Sequence, residues 1–298
     1  MTYLWSVTLL WAFSFSLIGV YLAASVDGYF AVLTRTLLAS LVFLPLLKFA
    51  RIPLRLAIKL MAVGGVQLGV MYICFYQSFT LLSVPEVVLF TVFTPIYITL
   101  LDDLWQKRFT LFYLLTALLA VVGAGVIRYN ELSADFVLGF LLVQGANLCF
   151  GFGQVAYRRI MLAEEEQGKV NLSHHEIFGY FYLGAFAVAL LAMLVLGDWE
   201  RLPTTGLQWG VLLWLGIVAS GLGYFLWNKG ATLVDAGALA IMNNALVPAG
   251  LLVNLLIWNR DVDLLRLALG GGIILLALWI NESWVKPRVE AARASRLW

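Results

Sequence analysis

The stretch Ile177-Phe-Gly-Tyr-Phe-Tyr-Leu-Gly-Ala-Phe-Ala-Val-Ala-Leu-Leu-Ala-Met-Leu-Val-Leu196 runs for twenty residues without a charge. Wound as a helix rising about 1.5 Å per residue, it covers roughly 30 Å, the thickness of a bilayer's hydrocarbon core. It lacks the alternating polarity of a barrel strand, so a transmembrane β-barrel is excluded. Nine more windows of this kind fill most of the chain: Leu4 to Ala24, Tyr29 to Leu47, Leu60 to Phe79, Val84 to Leu101, Leu111 to Ile127, Phe136 to Tyr157, Leu207 to Trp227, Ala236 to Trp258 and Leu264 to Ile280. The chain is accordingly 62% hydrophobic and 12% charged, more apolar surface than a soluble core of this length uses. The expected fold class is an all-α integral membrane protein with ten transmembrane helices. The first window lacks a basic amino-terminal flank and is expected to stay as a helix rather than be cleaved as an export signal.

Basic residues set the orientation. With the amino terminus in the cytoplasm, the inside segments hold Lys48, Arg51, Arg55, Lys59, Lys107, Arg108, Arg158, Arg159, Lys169, Lys229, Lys286, Arg288, Arg293 and Arg296. The outside segments hold only Arg128, Arg201, Arg260 and Arg266. This bias over short loops places both termini in the cytoplasm. The formal net charge of +2 reports topology here, and no nucleic-acid partner is expected.

A pattern recurs along the chain. Tyr72-Ile-Cys-Phe-Tyr-Gln77 leads through Leu82-Ser-Val-Pro-Glu86 to Thr94-Pro95; Tyr224-Phe-Leu-Trp-Asn228 leads through Leu233-Val-Asp-Ala-Gly237 to Val247-Pro248. Aromatic-amide helix ends, an acidic turn and a proline return in the same order. Two five-helix units are expected, over residues 1–130 and 131–285, with a cytoplasmic tail over 286–298. Because each unit has an odd number of crossings, the two must be inverted, which supplies the two opposite tilts of an alternating-access carrier with its site near mid-membrane. No filter-like or charged ring sequence points to a channel.

Polar residues inside the apolar windows mark where such a site would be. Arg35 stands about 9 Å below the start of the second helix, stays charged at pH 7, and offers a planar fork suited to a carboxylate. An ion pair with Glu86 and snorkelling to the headgroups are the structural alternatives. Asn228, Asn243 and Asn244 bring amides that either contact substrate or act as interhelical glue, as do Gln67, Gln77, Asn147 and Gln154. Trp11, Tyr76 and Trp227 could stack on an apolar ring, and so could Tyr72, Phe75 and Tyr224. Pro95 and Pro248 are expected to bend their helices as gates. Glu86 and Asp235 are candidates for proton coupling, or else for helix capping. Glycines at 64, 65, 69, 216, 221 and 223 permit close helix crossings. The fifth and tenth helices, nearly free of polar side chains, are expected at the periphery or in a homodimer interface against lipid.

Motifs of soluble chemistry are missing. No phosphate loop with its lysine is present, and His174 and His175 lack the spaced partners of a metal site. Cys74 and Cys149 lie within apolar windows and are expected to pack as free thiols. No metal, cofactor or catalytic residue is expected. An integral-membrane enzyme remains the different-class alternative.

With Trp11-Ala-Phe-Ser-Phe15, Arg35, Thr94-Pro95 and Val122-Gly-Ala-Gly125, the chain resembles the drug/metabolite transporter superfamily, in its EamA-type ten-helix carriers, over residues 1 to 285. Within that family, Tyr29-Phe-Ala-Val-Leu-Thr-Arg35, Gln67-Leu-Gly-Val-Met-Tyr72, Val218-Ala-Ser-Gly-Leu-Gly-Tyr224, Val234-Asp-Ala-Gly237 and Ile241-Met-Asn-Asn244 are most similar to biotin carriers. The resemblance implies an inner-membrane secondary carrier with a small-molecule carboxylate such as biotin as its cargo. It equally covers exporters of amino acids, amines or drug-like metabolites. Biotin's valerate would engage Arg35, its ureido ring Asn228, Asn243 or Asn244, and its bicyclic body Trp11, Tyr76 or Trp227.

Overall fold

The computed structural model describes residues 1–23, 25–82, 87, 90–107, 109, 111–127, 136–166, 173–258 and 264–294. Every regular element among them is helical. Hydrocarbon offers no partner to a backbone N–H or C=O, and a helix pairs nearly all of its own. In order the helices are α1 (Thr2–Tyr21), α2 (Gly28–Phe43), α3 (Leu54–Ser78), α4 (Thr94–Trp105), α5 (Leu111–Ile127), α6 (Phe136–Glu166), α7 (His174–Leu196), α8 (Gly206–Thr232), α9 (Ala236–Asn244), α10 (Leu246–Trp258) and α11 (Leu264–Ile280). Seven helical stretches are long and apolar enough to cross a membrane. The rest are shorter: α5 has 17 residues, and the fourth and ninth apolar windows are each interrupted.

Polar side chains fix several starts. Asp27 accepts from Phe30 N–H at 2.8 Å to begin α2, and Asp235 accepts from Ala238 N–H at 2.9 Å to begin α9. Thr205 with Gln208, and Ser173 with Glu176, form reciprocal capping boxes ahead of α8 and α7. His175 therefore belongs to a capped helix start, and His174 beside it meets the Tyr157 hydroxyl at 2.8 Å. No cluster of metal-ligating side chains occurs among the described residues, and both cysteines are free.

The prolines coincide with interruptions of the helices. Pro95 is the second residue of α4, which starts afresh after a 3₁₀ turn at Thr91–Phe93. Pro248 is the third residue of α10, which starts afresh after Ala245. Phe90, Phe93, Thr94 and Ala245 all keep right-handed helical dihedrals, so each proline marks an interruption of the hydrogen-bond ladder within a helical path, where its N–H is missing. Two long helices contain π segments, Gly65–Val70 in α3 and Trp214–Leu222 in α8.

Glycines bring helices together. A Cβ on Gly64 would lie 1.8 Å from Phe181 O, and one on Gly184 would lie 1.9 Å from Met61 O, so α3 and α7 touch backbone to backbone. Gly216 lets α8 approach α2, where its Cβ would stand 3.3 Å from the Arg35 Cα. Helices α5 and α11 pack on each other, with Leu115, Leu118, Leu265, Leu269 and Leu275 exposed.

Gly184→Ala is expected to destabilise the protein by about 1–3 kcal/mol through overpacking, because the obstacle is backbone and cannot rotate away. Gly210→Ala, whose Cβ would meet nothing within 4 Å, is expected to be neutral or stabilising through helix propensity. Thermal unfolding of the two variants in one detergent checks the contrast.

Candidate functional site

Where the helices are interrupted, carbonyl groups lose their helical donors, and buried side chains replace them. Pro95 has no N–H for Thr91 O, and the Thr94 hydroxyl donates to that oxygen at 2.7 Å. Phe90 O accepts from Asn147 Nδ2 at 2.8 Å and Gln144 Nε2 at 3.3 Å. Val92 O accepts from Asn244 Nδ2 at 3.1 Å, which ties the break before α10 to the break before α4. In the π segment of α8 side chains also bond to carbonyls: Ala219 O accepts from Trp11 Nε1 at 2.8 Å, and Ser220 O, which also takes the Gly223 N–H, accepts from the Tyr182 hydroxyl at 2.9 Å.

Between these breaks lies a cavity walled by α1, α2, α3, α6, α8 and the two interruptions, with Arg35, Thr94, Asn147 and Asn243 among its polar lining and Trp11, Phe150, Tyr224 and Trp227 among its aromatic lining. The space inside, open mouth included, is about 790 Å³. Its aromatic wall is continuous. Trp11 stacks on Trp227 with centroids 5.0 Å apart and lies 4.9 Å from Tyr224 and 5.8 Å from Phe150. Trp227 Nε1 donates to Gln154 Oε1 at 2.8 Å, and Gln154 exchanges bonds with Asn243 at 3.2 and 3.3 Å.

Arg35 is 2% exposed and turned into the bundle, not toward the headgroups. Its Nε donates to Ser220 Oγ at 3.0 Å, Nη1 to the Tyr76 hydroxyl at 3.1 Å, and Nη2 to the Tyr72 hydroxyl. The guanidinium also lies over the Tyr72 ring, 4.1 Å from its centroid, a cation–π contact that gains strength when desolvated. Of the five guanidinium N–H groups, described residues account for three, and none of those partners is a carboxylate. Hydroxyls give a buried cation dipoles without neutralising it. Among the described residues nothing neutralises Arg35, so a positive charge stands beside an apolar, aromatic space.

The residues singled out from the sequence divide. Trp11, Arg35, Trp227 and Asn243 line the cavity. Tyr76 stands behind it, bonded to Arg35. Asn228 and Asn244 do not line it: Asn228 Nδ2 is returned to Tyr224 O at 3.0 Å, and Asn244 serves the Val92 carbonyl. Glu86 lies outside the described residues. Sequence reasoning missed Ser220, Phe150 and Tyr182; a hydroxyl amid Val218-Ala-Ser-Gly221 was the available signal for Ser220.

Asp235 belongs to a charged cluster at one end of the bundle, away from the cavity lining. It caps α9, accepts from Asn281 Nδ2 at 3.1 Å and lies 3.9 Å from Lys286 Nζ. Nearby, Asp102 at the end of α4 takes Arg159 through Nε at 3.0 Å and Nη2 at 2.5 Å. Arg158 stands 3.7 Å from Asp102 and donates to Val234 O at 3.0 Å, so the ends of α4 and α6 are joined to the start of α9.

Comparison with known proteins agrees with this architecture. The EamA-like transporter family matches residues 1–129 and 137–282. A probable biotin transporter of Pseudomonas aeruginosa is 55% identical over 282 residues, covering 95% of this chain and 97% of its own. The biotin transporters of Escherichia coli K12 and Salmonella typhimurium are each 50% identical over 282 residues, 94% of this chain and 92% of theirs. A crystal structure 17% identical in sequence superposes with a TM-score of 0.73 over 93% of this chain and 95% of its own; that likeness is one of fold.

Asp102→Ala is expected to cost about 2 kcal/mol, below the roughly 3–5 kcal/mol of breaking a fully buried pair because Arg159 keeps 22% of its side chain exposed. The swap of Asp102→Arg with Arg159→Asp is expected to recover part of that loss. Thermal unfolding of the single and double variants reads both effects.

Proposed function

Because the chain belongs to the EamA-like transporter family, we propose that it imports biotin across the bacterial inner membrane as a secondary carrier, with both termini in the cytoplasm. The observation that carries this reading is Arg35, a buried cation held by three hydroxyls and facing an aromatic cavity. Biotin's carboxylate would take the guanidinium's remaining N–H groups, its bicyclic body would lie against Trp11 and Trp227, and its ureido group would meet Asn243. The names of the relatives at 50% and 55% identity support biotin over other organic anions.

Alternating access follows from two inverted halves, residues 1–130 and 131–285, with 286–298 as a tail. Two features support that division: helix restarts at Thr94-Pro95 and Leu246-Val-Pro248, and π segments in α3 and α8. Interrupted helices at a midplane site are the usual way a carrier places polar backbone in a membrane. Asp235 and Glu86 remain the candidates for proton coupling; the ties of Asp235 to Lys286 and Asn281 would transmit such coupling along the bundle end. The exposed faces of α5 and α11 would meet lipid or a second copy.

Cells unable to make or take up biotin are expected to grow on low external biotin when this chain is expressed, and liposomes carrying it are expected to accumulate labelled biotin. Transport of an aromatic amino acid or amine with none of biotin would assign an exporter instead; chemical change of the substrate would assign an enzyme. Arg35→Ala is expected to keep insertion and lose uptake by about tenfold or more, since a charge-assisted bond to cargo is removed. Arg35→Lys is expected to be intermediate, because an ammonium lacks the fork. Biotin amide should bind the wild type weakly and lose little more in Arg35→Ala; equal further losses for acid and amide would give Arg35 a purely structural role.

A further inference from the structure

Tyr182 is fully buried on α7 and does not line the cavity. Its ring packs between Phe43 and Phe178, at 5.2 and 5.1 Å, yet its hydroxyl reaches into another helix. That hydroxyl is shared between Ser220 O, at 2.9 Å, and Gly221 O. Both carbonyls belong to the π segment of α8. Trp11 holds the preceding carbonyl, Ala219 O. The same segment presents the Ser220 hydroxyl to Arg35 Nε and to the Tyr72 hydroxyl, each at 3.0 Å. A shift of α8 by one register position would turn Ser220 by about 100° and remove it from the guanidinium. Close contact at Gly216, where a Cβ would stand 3.3 Å from the Arg35 Cα, couples any such shift to α2.

We infer that Tyr182 is a positioning residue for anion recognition: by holding the Ser220 and Gly221 carbonyls it fixes the π register that aims Ser220 at Arg35, and so sets the plane of the fork a carboxylate meets. Recognition by a guanidinium depends on that plane, since its N–H groups are rigidly arranged. The inference rests on the reading of Arg35 as the carboxylate site. It makes Tyr182 a determinant of acid-over-amide selectivity from outside the cavity.

Tyr182→Phe keeps the ring and removes only the hydroxyl. In purified protein its Kd for biotin is expected to rise by about tenfold, and its Kd for biotin amide by under about twofold. Ser220→Ala is expected to lose the same selectivity, Ser220→Thr to retain most of it, and Tyr182→Phe with Ser220→Ala to lose no more than Ser220→Ala alone. Equal weakening of acid and amide in Tyr182→Phe, or additive losses in the double variant, would overturn the inference. Should Tyr182→Phe not fold, unchanged selectivity in Ser220→Ala overturns it as well. A wild type that does not prefer acid to amide sinks the carboxylate reading and this inference together; a selective wild type with an equally selective Tyr182→Phe sinks this inference alone.

Discussion

A carbonyl group in hydrocarbon has no water to turn to, and this constraint governs how the protein builds a polar site. Uninterrupted helices satisfy it but leave no concave, polar space. Interrupting them creates the space and strands acceptors. Side chains meet the carbonyls at these interruptions: Thr94 from the same turn with Asn147 and Asn244 from other helices at the break before α4, and Trp11 and Tyr182 at the π segment of α8. All but the Thr94 bond join two helices, so these contacts also hold the cavity walls in register.

Arg35 faces a related cost with a different solution. Burying a guanidinium without compensation is unfavourable by several kcal/mol, and a carboxylate partner would remove that cost together with the charge. Among the described residues, Tyr72, Tyr76 and Ser220 instead share it among three hydroxyls and an aromatic face. The distinction separates a structural ion pair such as Asp102 with Arg159, where the charge is spent on joining α4 to α6, from a cation whose described partners are all neutral.

Much of the fold is legible in the chain because hydrocarbon leaves few choices. Uncharged runs must be helices, and the small residues at 64 and 216 lie where helices touch, while the matching Gly184 was not singled out. Arg35 is conspicuous because it is the one charge in an otherwise apolar α2. The amides were harder to read. Asn243 and Asn244 are neighbours with the same chemistry, yet one faces the cavity and the other serves Val92 O, and the exact position of the helix break decides which. Ser220 left only the weak signal of a hydroxyl in an apolar run, and Tyr182 left none. A hydroxyl in an apolar helix normally bonds back to its own chain, as Thr8, Thr36 and Ser40 do with Leu4, Val32 and Thr36. Only the tertiary approach of α2 and α7 to α8 shows that Ser220 and Tyr182 do otherwise.

Among the described residues no carboxylate neutralises Arg35, and on the proposed reading this makes occupancy an electrical quantity. An empty site would hold one elementary charge inside the membrane field, and an arriving carboxylate would cancel it. A full unit of charge carried across 100 mV is worth about 2.3 kcal/mol, and Arg35 would sense a fraction set by how far it shifts relative to that field. Loaded and empty forms would then respond unequally to voltage, the neutral form crossing indifferently and the cationic form drawn toward the negative side. A single side chain would thereby give the transport cycle a voltage-dependent step that resides in the protein rather than in its cargo.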